Sequence, residues 1–255
     1  MKREIKEIDA KNGVFRVTTA DERWYTIAST DPVTELPVYQ YIPSVTWIAG
    51  HYPKGIAFYK WLAEKGWDES QALKNAAGDK GSRVHKAIEM IIDGEEVQMD
   101  SRLANNEGVE EELSVEEYEA IVSFTEWANE SKPKFLLKEV TVISKKYGYA
   151  GTVDAVAEID GQVWVIDWKT SQYIWPEYEI QVSAYLEGLK EMGKIKDAKL
   201  AILQVGYRRN KHAYKWNEVT PQFDLFLSAR SIWEKETKGE KPKQKDYPVA
   251  VKLNY

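Results

Sequence analysis

The spacing of apolar residues in the middle of the chain predicts a β-hairpin. Apolar and polar positions alternate over residues 149–159 and again over 162–170, which is the period of strands with two different faces. Asp160-Gly161 stands between the two runs, and an Asp-Gly pair in this position is typical of a tight two-residue turn. We therefore expect two antiparallel strands joined at this dipeptide.

Periodicity and capping signals predict the elements on both sides of the hairpin. Downstream of residue 80 we expect helices at about 80–92, 114–129, 176–192 and 221–237, and strands at about 135–144, 199–207 and 213–219. Upstream we expect strands within residues 14–42, then a helical region opened by Pro43-Ser44, with helices at 57–64 and 69–77. Gly66 and Gly78 are the expected helix breaks, and the acidic stretch 94–112 is expected to be a mobile loop.

The order of these elements predicts an α/β fold. From residue 80 it includes a helix, a three-strand meander, a second helix and a further strand, which together give a mixed sheet with helices packed on it. We expect N-terminal strands and a helical region over 1–78, a core over 79–237 and a tail over 238–255. The length of 255 residues is compatible with one compact domain.

Composition excludes several classes of protein. The chain has no cysteine, which excludes disulfides, zinc ribbons and cysteine-ligated iron–sulfur clusters. It has no apolar run of eighteen residues, so we expect no membrane span. The N-terminus alternates in charge and resembles neither a signal peptide nor a transit peptide, which favours a cytoplasmic location. The net charge of −6 argues against unspecific coating of nucleic acid but allows a local basic channel, for which Lys145 and Lys146 are candidates.

Two aspartates and a lysine on the hairpin are the strongest candidates for chemistry. Asp154 lies in an otherwise small and apolar strand, and Asp167 follows a run that reads as buried. Such carboxylates are costly unless they are paired or bound to a metal, and two together form an oxygen site suited to Mg²⁺ or Mn²⁺. Lys169 shares a strand face with Asp167. The alternatives are a solvated Asp154 at a strand edge and a simple buried Asp167–Lys169 ion pair.

Three residues on helices could complete such a site. His85 lies at the margin of an apolar stripe and is either a half-buried structural histidine or a ligand for a metal of the Mn²⁺ class. Gln181 and Tyr185 are four residues apart and share a helix face. They could contact a phosphate, and Gln181 could orient the lysine; the alternative is an ordinary surface pair.

The order of these motifs resembles a known nuclease family. A helical histidine (His85), Gly-x-x-Asp (151–154), Asp-x-Lys (167–169) and Gln-x-x-x-Tyr (181–185) follow one another as in the RecB-like branch of the PD-(D/E)XK nuclease superfamily. Segments 43–46, 81–85 and 165–171 are similar to the mitochondrial genome maintenance exonuclease group with its phage and bacterial relatives. The resemblance spans roughly residues 43–207.

The resemblance implies a restriction-endonuclease-like core of order αβββαβ and assigns roles to the candidates. Asp154, Asp167, the backbone carbonyl of Trp168 and His85 would hold the metal, and Lys169 would position or activate the water. Gln181 and Tyr185 would support the lysine and the DNA. Glu139 matches a weaker acidic position of the family, with an ordinary surface glutamate as the alternative. The candidates for contact with DNA are Arg83, Lys145, Lys146 and Tyr185.

The function that the resemblance implies is a Mg²⁺- or Mn²⁺-dependent DNA exonuclease that prefers single strands with a free end. Helices in 57–77 and the 94–112 loop would form an arch around the strand. The absence of cysteine separates the chain from the cluster-bearing subfamilies, and a phage or prokaryotic source is expected. The alternatives are an endonuclease or recombination nuclease acting on duplex ends or branched DNA, and an inactive DNA-binding protein. We expect a monomer whose tail either docks a replication or recombination protein or forms an edge strand.

Overall fold

A computed structural model describes residues 4–9, 14–18, 22–30, 37–105 and 108–238. The chain begins with a four-stranded antiparallel meander whose strands lie side by side in sequence order. Its strands are β1 (Glu4–Asp9), β2 (Val14–Thr18), β3 (Arg23–Thr30) and β4 (Pro37–Pro43). The strands predicted within residues 14–42 are confirmed. Strand β1 was not predicted, because its charged alternation gives little apolar signal.

Three helices follow the meander: α1 (Val45–Ala49), α2 (Ile56–Lys65) and α3 (Trp67–Ile92). Ser44 caps α1 by accepting a hydrogen bond from the backbone N–H of Trp47, and Gly66 separates α2 from α3 with a φ of 72°. The predicted break at Gly78 is wrong, since α3 runs through it for 26 residues. A glycine costs a helix only about 1 kcal/mol, which the packing of the C-terminal half of α3 can offset.

The predicted loop at 94–112 contains a short hairpin of β5 (Arg102–Ala104) and β6 (Glu110–Glu112). Leu103 of β5 and Leu113, which follows β6, are both buried against the core. An irregular loop over the whole stretch is therefore a wrong prediction, because two leucines anchor the acidic segment. Residues 106 and 107 lie outside the described part.

The second sheet forms the body of the protein. It contains β7 (Lys134–Ser144), β8 (Tyr149–Ile159), β9 (Gln162–Lys169), β10 (Lys199–Val205) and β11 (Tyr214–Val219), in the spatial order β11-β10-β9-β8-β7. Strands β9 and β10 are parallel and the other neighbours are antiparallel. The helices are α4 (Val115–Ser131), α5 (Pro176–Glu191), which connects the two parallel strands, and α6 (Phe223–Thr237). The predicted mixed α/β fold is confirmed.

Helices cover both faces of this sheet. One core lies under α1, α5 and α6 and includes Val45, Leu186 and Phe226. The other lies under α4 and the C-terminal half of α3 and includes Phe124 and Trp168. Each central strand therefore has a buried face on both sides. In the described residues no helix is long and apolar enough to cross a membrane.

The N-terminal meander packs against the first half of β8. Ser44 and Ala150 form an isolated parallel bridge, and the hydroxyl groups of Tyr25 and Thr152 lie 3.0 Å apart. Ile42 shares a small apolar cluster with Tyr25 and Ala150. These contacts bring the meander to the region of β8 that leads into Asp154. The proposed division of the chain at residue 78 stays a prediction, and the tail at 239–255 lies outside the described residues.

Candidate active site

The hairpin of β8 and β9 brings the two predicted aspartates face to face. Its turn residues Asp160 and Gly161 have φ values of 50° and 76°, as the predicted two-residue turn requires. The pairing of the strands ends at Ala155 opposite Ile166, and one further step along that register places Asp154 opposite Asp167. The strands separate there, and Oδ2 of Asp154 accepts a hydrogen bond of 2.7 Å from the N–H of Trp168.

Asp167 is held from two directions by residues that the motifs singled out. Its Oδ2 lies 2.6 Å from Nζ of Lys169, and its Oδ1 accepts a hydrogen bond of 3.0 Å from Nε2 of Gln181. The same amide nitrogen lies 2.9 Å from the hydroxyl oxygen of Tyr185. Gln181 and Tyr185 are 6% and 3% exposed, so the alternative of a surface pair does not hold. The Gln-x-x-x-Tyr motif thus joins α5 to the carboxylate of β9.

Burial sets the protonation of this group. Burial raises the pKa of Asp167 to about 6, even though the ammonium of Lys169 opposes the rise. Burial also disfavours the charged lysine, but attraction by Asp167 and Asp154 outweighs it, and the pKa of Lys169 is raised. Lys169 is therefore a cation at neutral pH. It can act on a water or a phosphate as a fixed positive charge.

His85 on α3 reaches the opposite side of Asp154. Its Nδ1 lies 3.3 Å from Oδ1 of Asp154, and its Nε2 lies 3.1 Å from the carbonyl oxygen of Trp168. Burial disfavours the imidazolium, but attraction by Asp154 outweighs it and raises the pKa of His85. The pKa of Asp154 is lowered, because the attraction of His85 outweighs the effect of burial. The histidine thus bridges two of the groups that were predicted as metal ligands.

A cluster suited to a metal ion forms around the same residues. Ligand atoms of His85, Glu139 and Asp154 all lie within 4.8 Å of one another. Glu139 has a φ of 43°. It lies between Lys138 and Val140, which pair with Ala155 and Val153 of β8, so it is opposite Asp154. From the sequence alone, Glu139 was either a weak match to a family position or an ordinary surface residue. The distorted strand that turns it toward His85 and Asp154 is a tertiary feature.

Asp167 is placed differently from these three residues. It is not part of the compact cluster, and its oxygens face Lys169 and Gln181. Its buried Oδ2 has the ammonium of Lys169 beside it and no further partner among the described residues. A carboxylate oxygen with unused acceptor capacity, next to a cluster of two further carboxylates and an imidazole, is the donor set that a hard divalent cation requires. The residues present therefore fit such a metal.

Gly151 of the Gly-x-x-Asp motif has a steric role. A Cβ atom at this position would lie 2.6 Å from Cε1 of Tyr185 and 3.2 Å from a methyl group of Val45. Real Cβ atoms are essentially never this close to a neighbour. The glycine therefore lets the Tyr185 ring approach β8 closely, and Tyr185 in turn contacts Gln181, the partner of Asp167.

The predicted site opens into a cleft of about 790 Å³. His85, Asp154, Asp167, Trp168, Lys169, Gln181 and Tyr185 all line it, as does Glu139. Further cations in the lining come from several elements: Arg16, Arg23, Lys74, Lys80, Lys86 and Arg208. These side chains all lie around one cleft, and no local pattern in the sequence reveals this shared position.

Three predicted DNA contacts lie elsewhere. Arg83 is 5% exposed, and its guanidinium donates hydrogen bonds of 2.7 Å to both Glu117 and Glu111. Because these carboxylates neutralise it, its position does not support a contact with DNA, and we drop it from the candidates. Lys145 and Lys146 form the turn between β7 and β8, where their backbone N–H groups bind Glu191. In the described part of the chain neither lysine lines the cleft, and their role stays a prediction.

Comparison with known proteins identifies the family. No curated protein matches the chain significantly. The sequence profile of the PD-(D/E)XK nuclease superfamily matches residues 57–250, which include the second sheet and every residue of the candidate site. This match covers more than half of the chain, and the observed mixed sheet agrees with it. The chain therefore belongs to the PD-(D/E)XK nuclease superfamily, whose members use divalent metal ions to cut DNA.

Proposed function

We propose that this nuclease is an exonuclease that degrades single-stranded DNA from a free end, in the manner of the RecB-like and mitochondrial-type enzymes that its motifs resemble. The observation that carries the proposal is one face of helix α3. Trp67, Lys74, Gly78, Gly81 and His85 follow one another at intervals of seven, four, three and four residues. Residues with this spacing lie on one side of a helix.

These five residues of α3 form a stripe that leads from solvent to the active site. His85, Gly81, Gly78 and Lys74 all line the cleft, and Trp67 extends the same face beyond it. At 1.5 Å per residue, Trp67 lies about 27 Å from His85 along the helix axis. The stripe offers an exposed ring, then a cation, then two glycines that leave room for a chain to approach. A single strand could stack a base on the ring and run along the helix to the carboxylates.

Helix α2 widens this surface. None of its ten residues is buried in this fully described helix, so it has no role in the core. Tyr59 of α2 and Trp67 of α3 are 53% and 67% exposed. Aromatic rings on a projecting pair of helices suit unpaired bases, because every base offers a face for stacking. A duplex keeps its bases stacked inside and gains little from such rings.

The residues of the cleft have different roles in the proposed hydrolysis. Asp154, Glu139 and His85 would hold Mg²⁺ or Mn²⁺, with Asp167 and the Trp168 carbonyl beside them. The cation would supply a Lewis acid that stabilises negative charge developing on the phosphate oxygens. Lys169 would place its positive charge beside the attacking water or the scissile phosphate. Gln181 keeps Asp167, and through it Lys169, in place.

Digestion of DNA of different forms tests the proposal. Linear single strands, blunt duplex and covalently closed single-stranded circles of one sequence are incubated with protein and Mg²⁺ or Mn²⁺. We expect rapid loss of the linear strand, slow attack on the duplex and little on the circle. The Lys169→Ala variant, purified identically, controls for contaminating nucleases. Efficient cutting of the circle would instead support the endonuclease alternative, and absence of cutting on any substrate would support the inactive DNA-binding alternative.

A further inference from the structure

We infer that the N-terminal meander is part of the DNA-binding site and that Arg16 on strand β2 binds a backbone phosphate next to the scissile one. This inference rests on the proposed function. The meander precedes the matched residues 57–250, so the family match assigns it no role. It nevertheless contributes Arg16, Arg23 and Tyr25 to the lining of the active-site cleft.

A short series of contacts fixes Arg16 relative to the catalytic carboxylates. Arg16 lies directly opposite Tyr25 in the β2–β3 pair, so the two side chains are on the same face of the meander. The hydroxyl group of Tyr25 lies 3.0 Å from that of Thr152. Thr152 precedes Asp154 by two positions on β8, and both line the cleft. Arg16 is therefore connected to Asp154 through the β2–β3 pair, the contact of Tyr25 with Thr152, and strand β8.

The guanidinium of Arg16 has unused binding capacity. Its Nε is buried but makes no hydrogen bond to any described residue. Three other cleft cations are already engaged with glutamates: Lys80 and Arg208 with Glu116, and Lys86 with Glu89. A buried donor without an acceptor costs free energy, and an acceptor arriving with the substrate would remove that cost. Arg16 is thus a cation whose acceptor the described part of the protein does not supply.

A phosphodiester is the ligand that fits this position. The guanidinium presents a planar fork of donors that matches two phosphate oxygens. The centre of the cleft is acidic, with Glu139, Asp154 and Asp167, and therefore repels a polyanion unless cations flank it. Arg16 approaches from the meander, and Lys74 approaches from α3. Such contacts bind the backbone without regard to base sequence.

Binding of DNA by Arg16→Gln tests the inference. A fluorescent single-stranded oligonucleotide is titrated with full-length protein in chelator over a range of salt concentrations. We expect an affinity about tenfold weaker than that of the wild type. We also expect the slope of log affinity against log salt to be smaller by about 0.7, the value for one lost phosphate contact with a single strand. Arg16→Lys keeps the charge and should retain most of the slope. Lys196→Gln removes an exposed charge outside the cleft and should change neither quantity.

Cleavage kinetics separate this inference from the proposed function. With Mg²⁺, Arg16→Gln should raise KM about tenfold and leave kcat within about twofold, since Arg16 is not in contact with the reacting groups. An unfolding midpoint equal to that of the wild type shows that the meander remains folded. If the wild type degrades single strands while Arg16→Gln binds and cuts equally well, the inference is wrong and the proposed function stands. If the wild type neither binds nor cuts DNA, both are wrong.

Discussion

Nζ of Lys169 lies 2.6 Å from Oδ2 of Asp167, with 17% of the lysine side chain and 2% of the aspartate side chain exposed. The ring of Tyr178 covers the same ammonium at 4.6 Å from its centroid. A lysine on a flexible stem is thereby fixed between a carboxylate and an aromatic face. This arrangement loses no further side-chain entropy when a substrate arrives.

Replacing Lys169 by alanine should therefore slow the chemical step strongly and spare binding. We expect kcat to fall about 10²- to 10⁴-fold, the range for a positioned group that acts on the attacking water. KM should change little. The fold should survive, because Asp167, whose pKa is already raised to about 6, can take up a proton once its cation is gone. Steady-state digestion of a labelled strand measures kcat and KM. A variant with near-wild-type turnover would remove Lys169 from the mechanism.

Metal binding should depend on the cluster of His85, Glu139 and Asp154. Asp154→Asn and Glu139→Gln should each weaken Mn²⁺ binding by at least about tenfold, because each removes one anionic oxygen. Isothermal titration without DNA measures this directly. Glu89→Gln is the matched control, since Glu89 lines the same cleft outside the cluster and should bind Mn²⁺ as the wild type does. Excess chelator should stop cleavage, and added Mg²⁺ or Mn²⁺ should restore it. Cleavage that persists in chelator would exclude a metal-dependent reaction.

Trp67 should contribute to binding of single strands. Trp67→Ala should weaken binding of an oligonucleotide about 5- to 160-fold, corresponding to the roughly 1–3 kcal/mol for a base stacked on an aromatic ring. Binding of blunt duplex of the same length should not change. Trp175→Ala, which removes another exposed tryptophan outside the cleft lining, is the control. Equal losses for both variants would mean that α3 has no special role in guiding the strand.

Glu117 should make stability depend on pH. This buried carboxylate accepts hydrogen bonds from the backbone and hydroxyl groups of Ser114 and from Arg83. Burial opposes its ionisation, but these partners outweigh burial and lower the pKa of Glu117. Because its pKa is lower in the folded state, ionised Glu117 stabilises the protein at pH values above the ordinary glutamate pKa. This stabilisation is lost as the pH falls through the pKa of the folded state.

Glu117→Gln should accordingly unfold more easily at pH 7, by about 3 kcal/mol, since it leaves the buried Arg83 short of one carboxylate. The difference from the wild type should shrink as the pH falls through the lowered folded-state pKa of Glu117, because the wild-type carboxylate then becomes protonated. Urea unfolding at several pH values measures both effects. Glu116→Gln, next to it and exposed, should show little change at any pH. A difference between Glu117→Gln and wild type that is constant with pH would contradict the assignment.

The sequence predicted the elements of the core far better than their mutual placement. Strands β7 to β9 carry a two-residue period and a turn dipeptide, and α5 begins with a proline, so local signals sufficed there. The continuity of α3 through Gly78 depends on packing that a local rule does not include. Arg83 shows the same limit: its charge suggested a phosphate contact, while its burial between Glu111 and Glu117 depends on three separate segments.

Among the candidate site residues, those with motif spacing could be named in advance. Glu139 could be named only as a weak match to a family position, and Arg16 could not be named at all. Asp154 and Lys169 belong to short patterns on the hairpin. Glu139 reaches the cluster through an unusual backbone conformation in β7, and Arg16 reaches the cleft from a separate sheet. Nothing in the residues next to Arg16 marks it. Strand register and the packing of one sheet against another depend on residues far apart in the chain. Local sequence patterns therefore do not predict them.

Trp168 contributes both to the site and to the apolar core under α4. Its carbonyl oxygen lies 3.1 Å from His85, while its indole packs edge-on against Phe124 and Trp127 of α4. Any loosening of those rings can move the peptide plane that the histidine contacts. Heat inactivation should therefore begin below the temperature of global unfolding. Substitutions in the aromatic layer under α4, well away from the substrate, should set the temperature at which activity fails.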